Sequence, residues 1–233
     1  MFVRLNPEEI VRTPKNLAVI TARGGSKRLP GKNARMLGEH PLLAHSILYA
    51  QRFPEIIDDI VVTTDNEELV SIAKKYGAEV LMRPTAFAGD HEPVITALQH
   101  VLENTSDNYE NLILLQPTNP LRSKNLLAEA FTVFSESDVD SLMTVSRFEA
   151  KYGEIHENLF VPSNYRMGQR SQDLKPLYKE NGLLYITKCE QIKEGIILAE
   201  NNYAFVTETP FDSADIDTVI DFLLTEILLK KYK

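Results

Sequence analysis

Two stretches near opposite ends of this 233-residue chain carry residue types suited to phosphate and metal-ion chemistry. The first, ARGGSKRLPGKN at 22–33, sets Arg23, Lys27, Arg28 and Lys32 beside Gly24, Gly25 and Gly31. Glycines let the backbone approach a ligand closely and expose its N–H groups as an anion-binding concavity. The cations add charge that a chain of phosphates would neutralise. The alternative is a solvated basic turn, and Arg28 and the nearby Arg35 suit that role. The second stretch, DSADIDT at 212–218, carries Asp215 and Asp217. On extended chain, residues i and i+2 project to the same side, so both carboxylates would face one Mg²⁺. Within a helix they would splay apart. Asp217 is also a candidate N-cap of the last helix, a role that can coexist with metal ligation.

The glycine-rich stretch is not one of the common nucleotide loops. Five residues separate Gly25 from Gly31, and Asn33 rather than Ser or Thr follows Lys32. The hydroxyl that would hold magnesium in a GxxxxGK[ST] loop is therefore missing. GxGxxG is absent too, which removes the usual dinucleotide fingerprint.

These residues need a scaffold, and the rest of the chain describes one. LAVITA (17–22), DIVVTT (59–64), AEVLMR (78–83), NLILLQ (111–116), SLMTVS (141–146) and GLLYIT (182–187) read as buried strands. PLLAHSILYAQRF, NEELVSIAKKYG, PVITALQHVLEN and KNLLAEAFTVFSES lie between them, with apolar residues at helical spacing. Asp65 or Asn66 would cap the second helix and Gly77 would end it. The alternation implies βαβ units and a mostly parallel sheet covered on both faces. In such sheets ligands bind outside the carboxyl ends of the strands, where the first basic loop must sit. The stretch 148–180 is polar and weakly periodic, and reads as a hairpin or flap leaving the core. DTVIDFLLTEILLKKYK closes the chain as an amphipathic helix.

The gross numbers exclude several classes. A net charge of −8 and a pI near 5.2 argue against nucleic-acid binding, so any anionic ligand must be held by a local cluster. The lone cysteine, Cys189, forms no internal disulfide, and the five histidines show no zinc spacing. No apolar stretch approaches ~20 residues, so no membrane span is expected. MFVRLNPEEIVRTPKN does not read as a signal peptide, so the default compartment is the cytoplasm.

Five blocks in order resemble the acylneuraminate cytidylyltransferases: ARGGSKRLPGKN, RPTAFAGD (83–90), LLQPTNPLR (114–122), NGLLYI (181–186) and DSADIDT. The resemblance covers about residues 17–225, and leaves 1–16 as an extension to a single domain over 17–233. It implies an α/β, Rossmann-like three-layer nucleotidyltransferase fold with a small flap that also mediates dimerisation. The implied reaction is Mg²⁺-dependent transfer of CMP from CTP to the anomeric hydroxyl of a nonulosonic, sialic-type acid, with pyrophosphate leaving. Such a step needs alignment and charge neutralisation rather than a protein nucleophile.

The resemblance also implies roles for individual residues. Arg23, Gly24, Gly25, Ser26, Lys27, Lys32 and Asn33 would bind CTP, with Arg23 and Lys32 neutralising charge on the α-phosphate and departing pyrophosphate. Arg83 would read cytosine through its guanidinium fork, with Asp90 in the same loop; otherwise Arg83 closes a strand end. Gln116, Arg170 and Asn181 would meet the sugar acid, Arg170 by pairing with its carboxylate. Arg122 either lies near them or is structural. Asp215 and Asp217 would hold the Mg²⁺, near which an acceptor hydroxyl would lose its proton more easily. No separate general base emerges. Asn119 stands where many relatives have Ser or Thr, and Thr21 where proline is frequent. The sequence leaves open the same chemistry on legionaminic, pseudaminic or deaminated neuraminic acid. A sugar-1-phosphate nucleotidyltransferase fits the QPTNPLR and DIDT blocks poorly, and a non-catalytic nucleotide-binding relative is the remaining alternative.

Overall fold

Four consecutive side chains of β1 (Asn16–Thr21) show how the sheet is buried. Leu17 and Val19 enter a core on one face, Ala18 and Ile20 a core on the other, all with no solvent exposure. That is the continuous apolar run of a strand covered on both sides. In the computed structural model the described residues are 15–84, 87, 89, 92–105, 108–209, 211–212 and 214–232.

The chain continues through β2 (Met36–Leu37), β3 (His40–Pro41), α1 (Leu42–Ala50), β4 (Asp59–Thr64), α2 (Glu67–Lys75) and β5 (Glu79–Met82). It crosses back through α3 (Val94–Asn104) to β6 (Asn111–Leu114), then α4 (Leu126–Glu136) and β7 (Ser141–Phe148). There follow β8 (Gly153–His156), β9 (Leu159–Pro162), β10 (Leu177–Lys188), α5 (Cys189–Lys193), β11 (Asn202–Thr207) and α6 (Val219–Tyr232). The central sheet has seven strands in the order β11-β7-β10-β6-β1-β4-β5. All run parallel except β10, which lies antiparallel between β6 and β7. The fold is the mostly parallel α/β sheet that the alternation predicts. Side chains of α1, α2 and α4 pack on one face, those of α3 and α5 on the other.

Local signals account for the helix ends. Asn66, not Asp65, caps α2, accepting from the N–H groups of Glu68 and Leu69 at 2.9 and 3.1 Å. Gly77 adopts φ 80° just past the helix, the left-handed conformation that glycine tolerates best. For α6 the cap is Thr218 rather than Asp217. Asp221 accepts from the Thr218 N–H at 2.7 Å while the Thr218 hydroxyl faces the Asp221 N–H, a reciprocal capping box. Asp217 is thereby released from capping.

Besides the short elements β2, β3 and α5, two larger features depart from the expected outline. β11 is absent from the strands that periodicity suggests, because as an edge strand it leaves most of its side chains exposed and loses the apolar signature. β7 and β10 also pair as far as Phe148 and Leu177, so regular sheet intrudes into the stretch 148–180. Between them β8 and β9 form a separate two-stranded sheet.

Strand order reverses beside β1, since the chain first builds outward to β4 and β5 and then returns to β6 on the other side. The loops after β1 and β6 therefore diverge and leave a crevice at the carboxyl edge.

Candidate active site

The loop after β1 is shaped by a tie to the end of β4 and by its own glycines. Asp65 accepts from the Gly24 N–H at 2.8 Å, tying the loop to the end of β4. A Cβ on Gly24 would lie 2.8 Å from that of Asn66, so only glycine allows this approach. Gly31 takes φ 64° and turns the chain into a short 3₁₀ helix, Lys32–Ala34. Asn33 donates to the Arg23 carbonyl at 3.1 Å, and its buried Oδ1 has no protein partner among the described residues.

The second chemical stretch is brought to this loop by Ile216. Its side chain is fully buried with Leu29, Leu37 and Leu42, which draws the 214–217 segment against the loop. Burial of a side chain of this size is worth about 1.5–3 kcal/mol. Its N–H donates to the Thr118 carbonyl at 2.9 Å, fixing the segment to the loop after β6 as well. With Ile216 turned inward, Asp215 and Asp217 on either side of it both line the cleft. Lys32 donates to the Ile216 carbonyl at 2.6 Å and lies 3.3 Å from Asp217 Oδ1. Arg28 Nη2 lies 2.9 Å from Asp217 Oδ2.

The resulting cleft has a volume of about 630 Å³, within the range of small-ligand sites. Its walls carry Arg23, Lys27, Arg28, Lys32 and Arg83 against Glu92, Asp215 and Asp217, a local excess of positive charge on an acidic protein. The amino end of α3, at Pro93 and Val94, borders it and adds the partial positive charge of a helix start. Partial withdrawal from water is the main cause that raises the Asp215 carboxyl above its ordinary range. Asp217 and Asp221 push the same way, while Thr118 and Lys32 oppose them. Two hard oxygen donors whose charges repel suit a divalent cation that completes its shell with water and phosphate oxygens. Among the described residues no cluster of three or more His, Cys, Asp or Glu offers an all-protein metal cage.

Most of the residues singled out in the sequence meet here: Arg23, Ser26, Lys27, Lys32, Asn33, Arg83, Gln116, Asp215 and Asp217 all line the cleft. Others do not. Arg83 turns part of its fork onto the end of β4, donating from Nη2 to the Thr63 carbonyl at 2.9 Å. Burial chiefly, and Arg23 nearby, lower its pKa, while Asp65 opposes them. Asn181 is buried away from the cleft, accepting from Thr144 at 2.6 Å and donating to Thr207 at 2.9 Å. Arg170 lies on the excursion, exposed, with its guanidinium forked onto Asp173 at 2.8 and 2.9 Å. Asp90 lies outside the described residues.

Arg122 resolves as structural. It is 2% exposed and donates to the Leu183 carbonyl at 2.6 Å and the Gln116 carbonyl at 2.7 Å. It thereby locks the β6 loop to β10. Asn119, also buried, donates to the Asn181 carbonyl at 2.9 Å, so its side chain braces the wall behind Gln116. Arg28, Thr118 and Glu92 line the cleft without having been singled out for ligand binding. Thr118 lies inside QPTNPLR, and Arg28 inside the glycine-rich block, so both were within reach of the motif reading.

A basic, glycine-opened loop at a switch point, facing a carboxylate pair, defines the architecture of a nucleotidyltransferase. Comparison with known proteins narrows the class. Residues 17–230 match the cytidylyltransferase family, and the chain belongs to it. It is 34% identical to the CMP-N,N'-diacetyllegionaminic acid synthase of Legionella pneumophila, over 92% of this chain and 96% of that one. It is 32% identical to a pseudaminic acid cytidylyltransferase of Campylobacter jejuni, over 93% and 97%. It is 33% identical to an N-acylneuraminate cytidylyltransferase of Streptococcus agalactiae, over 90% of this chain and 52% of that longer one. The fold also matches CMP:2-keto-3-deoxy-manno-octonic acid synthetase complexed with CTP, at TM-score 0.70 and 16% identity, over 94% of this chain and all of that one.

Proposed function

We propose that this cytidylyltransferase transfers CMP from CTP to the anomeric hydroxyl of a nonulosonic acid of the N-acylneuraminate type. The observation that carries the reading is the cleft itself, where the basic loop after β1 faces Asp215 and Asp217 across a space of small-ligand size. The new bond joins the sugar's anomeric oxygen to the α-phosphorus; the bond broken is that to the pyrophosphate oxygen, and the hydroxyl proton leaves to solvent. Arg23, Lys27 and Lys32 hold the triphosphate and offset the charge gathering on the leaving group. Gly24 and Gly25 let the backbone come close to it. Gln116 faces the acceptor sugar from the β6 loop, and Arg122 keeps that loop in place. Arg83 faces the base side of the cleft with the part of its fork that Thr63 does not hold. Asp215 and Asp217 are the residues that would hold Mg²⁺, which when bound supplies Lewis-acid neutralisation of the phosphate charge.

Neither Arg170 nor Asn181 lines the cleft within one chain. Arg170, exposed on the flap, keeps its sugar-acid role through a second subunit. Asn181, buried and bonded to Thr144 and Thr207, keeps its role only with rearrangement of its own chain. A homodimer is accordingly part of the proposal. Ile155, Leu159, Phe160 and Val161 on the β8–β9 hairpin are exposed apolar residues suited to such a contact. The unit is taken as one domain over 17–233, with 1–16 an extension and 148–180 a flap. A cytoplasmic location belongs to the same proposal. Among the described residues no helix is long and apolar enough to cross a membrane.

Identity to the Legionella relative favours legionaminic acid as the second reading of the acceptor. The test is pyrophosphate release with CTP and Mg²⁺ against N-acetylneuraminate, its deaminated form, legionaminate, pseudaminate and 3-deoxy-octulosonate. Release with a nonulosonate and not with UTP supports the reading and names the acceptor. Release with 3-deoxy-octulosonate alone, or with none of the panel, would reject it.

A further inference from the structure

Arg28 is the cation of the first loop to which the sequence assigns only solubility, and the structure sets it 2.9 Å from Asp217 Oδ2. Lys32 stands 3.3 Å from the other oxygen, Oδ1. Both oxygens of one candidate metal ligand are thus engaged by cations of the phosphate-binding loop.

The two cations differ in their freedom to leave. The Lys32 side chain is 10% exposed and also donates to the Ile216 carbonyl, which its departure would strand. The Arg28 side chain is 68% exposed, and an ion pair open to water is weak. A divalent cation at Oδ2 would be repelled by a guanidinium on the same oxygen. Arg28 is therefore the partner that yields. Once it leaves Asp217 it still belongs to the loop that carries Ser26 and Lys27 on the cleft wall. Asp221 is also near Arg28, but its carboxylate is already engaged by the Thr218 N–H and hydroxyl at the helix cap. The uncommitted anion that Arg28 meets in the cleft is therefore a phosphate of the nucleotide.

We propose that Arg28 is an exchangeable counter-ion, held by Asp217 in the free protein and by nucleotide phosphate when a divalent cation takes Asp217. The inference rests on the CTP and metal placement proposed above. It makes metal and nucleotide binding mutually reinforcing, because each relieves the charge that the other's arrival leaves unpaired, and such coupling is reciprocal.

The experiment is Mn²⁺ binding followed by electron paramagnetic resonance of the free ion. It uses wild type, Arg28→Gln, Arg35→Gln and Asp217→Asn, each alone and with CTP but no sugar acid. Values are corrected for Mn²⁺ held by free CTP. Arg28→Gln is expected to bind Mn²⁺ alone about two- to fivefold tighter than wild type, the range an exposed ion pair supports. CTP should then improve its Mn²⁺ affinity by a smaller factor than it improves that of wild type. Arg35→Gln removes equal charge from a residue that donates to the Pro30 carbonyl, and should match wild type. Equal affinity of Arg28→Gln and wild type, with binding lost in Asp217→Asn, overturns the exchange and leaves the metal pair standing. An equal gain in Arg35→Gln overturns it as a mere charge effect. Undiminished binding by Asp217→Asn overturns both the exchange and the metal assignment.

Discussion

The Lys32 ammonium donates to the Ile216 carbonyl at 2.6 Å, joining residues 184 positions apart. This bond, with Ile216 buried beside Leu29, sets the carboxylate pair against the basic loop after β1. Neither stretch forms a cleft alone. The consequences can be measured.

Lys32→Met keeps an apolar stem but leaves the Ile216 carbonyl without its donor. A buried polar group left unpaired costs about 1–3 kcal/mol, so the urea midpoint should fall by a corresponding amount. CTP affinity, read by calorimetry, should fall with it. An unchanged midpoint would show that the bond does not hold the segment.

Asp217→Asn removes a charge from the carboxylate pair without changing its shape. Turnover at saturating substrates should drop by about 100-fold or more, the scale of losing one group that stabilises transition-state charge. Circular dichroism should stay like wild type, because Thr218 and Asp221, not Asp217, cap α6. Wild-type rates at saturating Mg²⁺ would remove Asp217 from the mechanism.

His45 should make stability depend on pH. Burial above all lowers its pKa from the usual 6.5, with His40 and Arg122 adding repulsion and the Leu37 carbonyl opposing them. The folded protein therefore binds this proton less readily than the unfolded chain. Stability is full above the unfolded value and declines as pH falls through it toward the folded value. The His45 contribution to the melting temperature should be constant well above the usual histidine value of about 6.5 and be lost as pH falls below it. His45→Gln should show a shallower decline. An identical slope in the variant would assign the effect to other groups.

Cys189 should be inert. It is 2% exposed, and burial pushes its thiol up to about 12, with Glu110 adding to the shift and Lys193 opposing it. Only the thiolate reacts, so an aromatic disulfide reagent at neutral pH should label the protein after unfolding and not before. Rapid labelling of the folded protein would contradict this burial.

The sequence by itself determined the scaffold and where chemistry would gather. Strands such as β1 and β4, and helices such as α2, are written in local periodicity and capping residues, which neighbours in the chain specify directly. The placement of the glycine-rich loop at a sheet edge follows from that alternation and a general rule of α/β topology. Arg23, Lys32, Asp215 and Asp217 stand out in the sequence by type and spacing, and the fold brings all four to one cleft.

Only the tertiary structure decided which partner each side chain chose. Thr218 rather than Asp217 caps α6, so both aspartates are left to the cleft. Asn181 turns inward to Thr144 and Thr207, Arg83 shares its fork with Thr63, and Arg170 turns to Asp173 on the excursion. Arg28, an ordinary exposed cation in the sequence, finds Asp217 from the other end of the chain. The physical reason is the same throughout. A polar side chain settles on whatever donor, acceptor or charge the packed backbone brings within about 3 Å, and that choice depends on long-range packing that no local pattern encodes.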